Sequence, residues 1–471
     1  MAVTQPTRIG LFSVFSQVKK AIRGEQLDYT TGSIRKAVIM LAIPMILETA
    51  LESVFAIVDI FFIGKLGNNA ISAVGLTESV LSMVYAVGVG LSIGATALVS
   101  RRIGEKNEEE ASRTGMQAIL LSFFVAVLIS AAGLIFSKPI LQLMGATPGI
   151  VAAGLPYTRL IFSSGIFIVF LFLINGIFRG AGDAALAMRS LWLANICNII
   201  LCPLLIYGIG SWNGMGIVGA ALATTIGRGL GVCYQMYHLL SGKGMIQFKR
   251  EYFKPNKAIL RSFFAISRTA TLQFLIASAS WTALARIMSG FGSTAVAGYT
   301  IAIRIFVFFL LPAWGLSNAA ATLVGQNLGA EQPGRAEQSV WRAAKYNLIF
   351  MLFVSLVFFL GANWLSAFMT PDAEVQKIAS QALKVFGFGS MFYGVGMVVI
   401  SSFNGAGDTK TPTWINLFFF WALQIPLAYG LAVLLRMGPK GIFFAVITTE
   451  VLSTVTAVMI FRKGKWKLLK V

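Results

Sequence analysis

About twelve apolar runs, each long enough to cross a bilayer, recur along nearly the whole of this 471-residue chain. A span needs roughly 20 apolar residues, because the hydrocarbon core is about 30 Å thick and a helix rises about 1.5 Å per residue. No backbone polar group can go unpaired in that core, so runs of this length read as helices. They are too long, and too free of two-residue alternation, to be barrel strands. The predicted spans lie near 37–63, 70–99, 115–136, 150–178, 188–209, 214–241, 263–288, 294–324, 343–368, 375–402, 413–436 and 440–462. The predicted fold class is an all-α polytopic membrane protein. Composition agrees, with 57% hydrophobic and only 12% charged residues, about half the charged share of a soluble domain.

A net charge of +20 raises the question of nucleic acid. Its distribution points instead to membrane topology. Basic residues gather in alternate loops: Lys19 to Lys36, Arg101 to Arg113, the 241–261 loop, and a tail from Arg462 to Lys470. The opposite loops carry little beyond Lys65, Lys138, Lys377, Arg436 and Lys440. The positive-inside rule then puts both termini in the cytoplasm of a multi-pass cell (inner) membrane protein, which requires an even number of spans. No cleavable signal peptide is visible in residues 1–35. Residues 8–23 read as a basic amphipathic helix on the membrane or as a disordered tail. Cys197, Cys202 and Cys233 fall inside spans and read as small core residues. His238 has no companions in sequence for a metal site, so no metal or other cofactor is expected.

Three matches share one offset, the one that carries Gly67 to Gly292. Gly67 and Ala70 match Gly292 and Ala295. Leu98-Val99, Gly104 and Ala111 match Leu323-Val324, Gly329 and Ala336. Phe178-Arg179-Gly180-Ala181-Gly182-Asp183 matches Phe403-Asn404-Gly405-Ala406-Gly407-Asp408. Pro203 with Tyr207-Gly208 matches Pro426 with Tyr429-Gly430 after a small length change. Helices 1–6 therefore repeat as helices 7–12, in two lobes of like orientation about an axis along the membrane normal. The expected division is a cytoplasmic segment 1–35, an N-lobe 36–241, a linker 242–262, a C-lobe 263–462 and a basic tail 463–471.

Acids inside a bilayer are functional candidates by default. With Glu48 as the origin, helical geometry places Glu52 at about 40° and Asp59 at about 20° around the first span. All three therefore share one face. Pro44 borders that face, removes a backbone donor and permits a bend. The bland alternative is that these acids pair with Arg159 or Arg228 as structural ion pairs. Glu78 follows on the second span with Ser82, Tyr85 and Ser92 on roughly the same face. Asn175 lies on the fourth span, and Asn195, Asn198 and Cys202 on the fifth; interhelical hydrogen bonding is the bland reading for these. The second half has Gln273 opposite Glu48, Ala277 opposite Glu52 and Leu284 opposite Asp59. Only Glu450 is a deep acid there, so titratable chemistry is concentrated in the first half.

Gly180-Ala181-Gly182-Asp183 and its repeat fit the pattern of intramembrane aspartyl proteases. That chemistry needs a second aspartate in a Tyr-Asp context, and the chain has no Tyr-Asp. A turn whose aspartate caps the next helix is the preferred reading.

Taken together, these residues resemble the multidrug and toxic compound extrusion (MATE) family over about 35–462. The resemblance is carried by Pro44, Val58-Asp59 with Gly64 and Gly67, the Arg/Gly-rich loop after helix 2, and Asn175 with Phe178 to Asp183. Asn198, Pro203-Leu204-Leu205-Ile206-Tyr207-Gly208 and Gly219-Ala220-Ala221-Leu222-Ala223-Thr224 complete it. It implies a twelve-helix, two-lobe exporter of cationic or amphiphilic small molecules, driven by proton or sodium entry. Asp59 would be the coupling carboxylate, Asn175, Asn198 and Thr224 its polar neighbours, and Pro44 the bend. The family often has an aspartate where this chain has Cys202, which weakens a sodium site at Asp59 and Asn198. Glu48 and Glu52 are extra acids that could replace the lost charge.

The expected function is a proton-coupled antiporter, with sodium as the lesser alternative, and not an enzyme. Its expected partners are small molecules and membrane lipid, with no nucleic acid, and the expected state is a monomer. A flippase for lipid-linked or polysaccharide substrates is the competing reading. It would call for several of Arg159, Arg228, Arg268, Arg286 and Arg304 lining one cavity.

Overall fold

The computed structural model describes residues 11–469 except 26, 211 and 243, and gives the backbone alone for 11–15, 54–60, 68 and 212. Helix follows helix: α1 (Leu11–Arg23), α2 (Ile34–Ile63), α3 (Asn68–Gly104), α4 (Glu108–Leu143), α5 (Pro148–Ser163), α6 (Gly165–Ala181), α7 (Ala184–Tyr207) and α8 (Ile217–Leu240). The second half has α9 (Lys257–Ser289), α10 (Ser293–Gly329), α11 (Pro333–Met369), α12 (Ala373–Gly405), α13 (Lys410–Asn416), α14 (Ile425–Tyr429) and α15 (Pro439–Arg462). Ten helical segments among the described residues are long and apolar enough to cross a membrane, α5 with α6 and Lys410–Leu434 each counting as one. The other two crossings are α2 and α9, of 30 and 33 residues. These are the first crossings of each half.

Helices extend past the apolar runs because polar turns continue them beyond the lipid. Asn107 accepts from the Glu110 N–H and starts α4 ahead of the predicted span at 115. Asn256 accepts from Ala258 and Ile259, so α9 begins at Lys257, inside the stretch assigned to the linker. The predicted fourth span is broken at Ser164, between α5 and α6. The eleventh is π-helical over Leu417–Gln424 and Gly430–Leu434, flanking Pro426, whose missing N–H and ring disturb the α ladder. A two-residue antiparallel ladder pairs Gly208–Ile209 with Trp212–Asn213.

The repeat is visible in the backbone. α3 and α10 both run 37 residues and start at equivalent places, each directly after a glycine of the matched pair Gly67 and Gly292. Gly182 and Gly407 hold the left-handed region at φ 87° and 86°, and Lys106 and Glu331 do so at 60° and 58°. After each Gly-Ala-Gly turn the aspartate caps: Asp183 accepts from the Leu186 N–H at 3.2 Å, and Asp408 from the Thr411 N–H at 3.1 Å.

Glycines bring the two halves into backbone contact. A Cβ on Gly90 would lie 2.6 Å from the Thr271 nitrogen, and one on Gly315 would lie 2.7 Å from the Ile46 nitrogen. A Cβ on Gly104 would meet the Gln326 carbonyl, and one on Gly329 the Arg101 carbonyl. Each such pair maps onto its partner by the offset of the repeat, so the seam is reciprocal. The first helices cross it. Ala37, Leu41 and Met45 of α2 join a core built mainly from α10, α11 and α12, while Phe263 and Ile266 of α9 join the first half's core. From Gly94 to Arg101 and from Ala319 to Gly329, α3 and α10 are buried throughout, whereas their opening turns carry exposed residues such as Ile71, Glu78 and Arg304. The lobes are therefore packed together at the face that carries the chain ends.

That face is strapped from both ends of the described chain. Arg335 of α11 donates to the carbonyls of Tyr29, Thr31 and Gly32 at 3.2, 2.7 and 2.9 Å. The Tyr29 hydroxyl donates to the Gly182 carbonyl at 3.4 Å, and Lys106 lies 2.8 Å from Asp28. From the other end, Trp466 is buried and stacks on Phe461, Lys467 pairs with Glu337 at 2.6 Å, and Arg101 donates to the Leu469 carbonyl. Burial alone would raise the Asp28 carboxyl, but hydrogen bonds from Lys106 and Thr30 outweigh it and hold it at about 2. A folded value below the unfolded ~3.9 stabilises above that pH and is lost as pH falls through the folded value. Asp28→Asn should therefore lower the melting temperature at neutral pH, and the gap from wild type should close between pH ~4 and ~2. A gap that persists unchanged through that range would count against the strap contact.

Candidate functional site

Glu48, on α2 one turn past Pro44, is enclosed at 4% exposure. Its Oε1 accepts from the Asn175 amide on α6 at 3.1 Å and lies 3.6 Å from the Arg179 guanidinium, one turn further along α6. Arg179 also donates to the Ser92 hydroxyl on α3 at 2.8 Å. The Asn175 carbonyl oxygen accepts from Ser190 on α7 at 3.0 Å and from Gln235 on α8 at 2.7 Å. Five helices of the first half thus converge on one carboxylate. Such buried polar groups persist only where partners replace lost water. Glu48 Oε2 has no hydrogen-bond partner among the described residues.

Glu52 is half-buried one turn along, within electrostatic reach of Glu48, Arg228 and Arg179. Arg228 donates to the Tyr85 hydroxyl at 2.5 Å and lies 5.6 Å over its ring. The alternative that paired the acids with Arg159 or Arg228 is corrected for Glu48, whose ion-pair partner is Arg179. Geometry explains it: Arg179 shares a face of α6 with Asn175, four residues before it. Glu78 is exposed, near Tyr85. The Asn198 amide donates to Thr224 at 2.8 Å, and its carbonyl oxygen has no partner among the described residues. Cys202 is fully buried one turn on. Asp59 belongs to α2, but its side chain lies outside the described residues.

The second half repeats the framework with neutral groups. Gln273 stands at the Glu48 position, Asn404 at that of Arg179 and Ile400 at that of Asn175. Gln273 is buried with its side-chain carbonyl unpartnered among the described residues, while its backbone carbonyl accepts from Asn416 at 3.4 Å. Sequence reasoning missed Arg179 as an ion-pair partner, and missed Ser190 and Gln235 entirely. Arg179 falls just past the predicted fourth span and Ser190 just inside the fifth, so neither stood out; Gln235, well inside the sixth, was the readable signal. Glu450 is buried on α15, beside Gly396.

The arginines are dispersed. Arg268 lies over Phe264 near the start of α9, and Arg286 lies in its last turn, about 27 Å away at about 1.5 Å per residue. Arg159 and Arg304 are exposed on different halves. His238 packs against the rings of Tyr234 and Tyr237 at 4.6 and 5.5 Å.

A family model, MatE, matches twice, over residues 44–204 and 270–430. The chain belongs to the MatE family. It is thus a MATE membrane transporter and not an enzyme. The two matched stretches fall one on each repeat. Among relatives, the probable multidrug resistance protein YoeA of Bacillus subtilis is 25% identical over 87% of this chain and 90% of its own. The probable multidrug resistance protein NorM of Thermotoga maritima is 26% identical over 92% and 93%. A solved outward-facing multidrug resistance MATE transporter of the MOP superfamily superposes with a TM-score of 0.88 at 25% identity, covering 93% of this chain and 98% of its own. A MATE crystal structure in complex with MaL6 gives 0.88 at 25%, over 94% and 98%.

Proposed function

We propose that this MATE transporter is a secondary antiporter that exports cationic or amphiphilic small molecules in exchange for protons. The observation that carries the reading is the acid cluster of the first half. Glu48 keeps one oxygen unpartnered, Glu52 follows half-exposed, and the matching positions of the second half are uncharged. A carboxyl cluster enclosed by five helices can be charged for a cation or protonated without one. Binding of either disfavours the other, and linkage makes that exclusion reciprocal. Asp59, on the same face of α2 by sequence, is assigned the proton exchanged with the pathway. Arg179 fixes Glu48 in place, and Asn175 orients it through Ser190 and Gln235. The names of the relatives, both multidrug resistance proteins, support the substrate class.

Sodium is the second reading, because the Asn198 carbonyl oxygen is unpartnered among the described residues. Cys202 offers a thiol where a hard cation prefers oxygen, so protons are favoured. The dispersal of Arg159, Arg268, Arg286 and Arg304 among the described residues weighs against the flippase reading. The deciding experiment is dye export from proteoliposomes with a proton gradient alone and then a sodium gradient alone at matched pH. Proton-driven export is expected, and Asp59→Asn should reduce it at least tenfold while the protein remains folded. Robust sodium-driven export without a proton response would overturn the coupling ion, and full activity of the variant would overturn the residue.

The chain ends are assigned to the cytoplasm of the cell membrane on the basic-loop asymmetry. In a cysteine-free background, an impermeant thiol reagent added outside should label Lys440→Cys and not Lys254→Cys. Labelling of position 254 from outside would invert the topology.

A further inference from the structure

The segment joining the two halves is built onto α4 and is no loose tether. Gln117 of α4, fully buried, donates to the carbonyls of Tyr252 and Lys254 at 2.7 and 2.9 Å and accepts from the Asn256 N–H at 2.9 Å. Ser112 accepts from the Gln247 N–H at 3.0 Å. These bonds hold a cleft of about 510 Å³ against the start of α9. Arg113 comes from the first half, Lys257 from the second, and Tyr252 and Lys254 from the segment between. The one acid lining the cleft is Glu251, which lies 4.0 Å from Lys249. Arg113 stands over the Tyr252 ring at 5.6 Å, with Glu109 and Glu110 at 3.6 and 3.8 Å. Arg250, Lys254, Lys257 and Arg261 have no ion-pair partner among the described residues.

Beside this charge stand two apolar rings. Phe253 is 53% exposed and Phe264 51% exposed, with Arg268 over the latter. Unpaired cations beside exposed aromatics at the end of a membrane span match the headgroup layer, where rings sit at the acyl boundary and cations reach phosphates. We infer that this cleft binds the phosphate of an anionic phospholipid from the leaflet on the side of the chain ends. Free phosphate shares the headgroup's charge, but Phe253 and Phe264 favour the lipid as its source. A headgroup held between Arg113 and Lys257 joins the first half to the second at the linker, so the bound lipid favours the arrangement in which those residues converge.

The test uses the full-length protein in nanodiscs of phosphatidylcholine doped with phosphatidylglycerol, with retained lipid read by native mass spectrometry. Each cation near an anionic surface strengthens binding roughly fivefold, so Lys254→Gln/Lys257→Gln should weaken phosphatidylglycerol retention roughly thirtyfold. Lys463→Gln/Lys465→Gln, with the same charge change on the tail, should leave it unaltered. Inorganic phosphate should fail to displace the lipid from wild type. Equal retention by wild type and the 254/257 pair, at equal melting temperature, would overturn the site. Displacement by millimolar phosphate would overturn the lipid as its ligand. If the 254/257 pair melts lower, Phe253→Ser is the second variant, and it should weaken phosphatidylglycerol retention without a matching change for phosphate.

Discussion

Arg179→Ala should destabilise the protein by about 3–5 kcal/mol, because it strands a carboxylate in the interior of the first half. Glu48 would keep only the Asn175 amide at 3.1 Å, with its second oxygen already unpartnered. The loss would also free Ser92 and remove one of the two cations, with Arg228, that act on Glu52. Adding Glu48→Gln should recover a large part of the loss, since a neutral amide needs no counter-charge. The double variant would then resemble the second half, where Gln273 and Asn404 occupy the same positions. Melting of the four proteins in detergent gives the coupling directly. If the two single changes add without coupling, the ion pair does not hold this site together. Export should fail in the double variant even when its stability returns, which separates the chemical role of Glu48 from its structural one.

Gly104→Val should all but abolish export by wedging the lobes apart at the face of the chain ends. A Cβ there would lie 2.7 Å from the Gln326 carbonyl carbon and 2.9 Å from its Cα. Those are backbone atoms of a buried helix and cannot swing away. Overpacking of this kind amounts to about 1–3 kcal/mol, which shifts a closed-to-open ratio by roughly 5- to 150-fold. A cysteine placed at Ser100, buried in wild type, should become reactive to a reagent added on that side. Gly75→Ala is the control, since nothing lies within 4 Å of a Cβ there. By reciprocity Gly329→Ala should act like Gly104→Val, its Cβ meeting the Arg101 carbonyl. Unchanged reactivity at position 100 would refute the wedge.

Twelve crossings, their duplication and the capping role of Asp183 and Asp408 were legible because each depends on local pattern: run length, a fixed offset, a turn before a helix. The partner of Glu48 was not. Helical phase put the acids on one face of α2 but could not say which of the other spans would meet that face. Arg179 lies just past the predicted fourth span and Glu48 in the first, with no local pattern linking them. Asn175 was singled out, yet Ser190 and Gln235, which fix its orientation, were not, because a single polar residue in a span carries no pattern that names its partner. The crossing of α2 and α9 into opposite cores was hidden for the same reason. A simple six-plus-six division assigns each helix to one lobe, whereas Leu41 and Phe263 pack into the other. The straps over residues 28–32 and 466–469 come from polar stretches without periodicity, and several of their contacts run through backbone carbonyls that any sequence offers.

A seam in which Gly104 meets Gln326 while Gly329 meets Arg101 is the kind of contact a protein makes with a second copy of itself. A six-helix chain with that surface would pair about a two-fold axis, and tandem fusion would preserve the pairing across the segment between α8 and α9. In an ancestral pair of that kind every substitution appears twice, so an acid cannot be kept on one side and lost on the other. Fusion removes the constraint. One copy could then retain Glu48 and Arg179 while the other settled on Gln273 and Asn404, leaving a two-fold scaffold with the acid–arginine pair on one side.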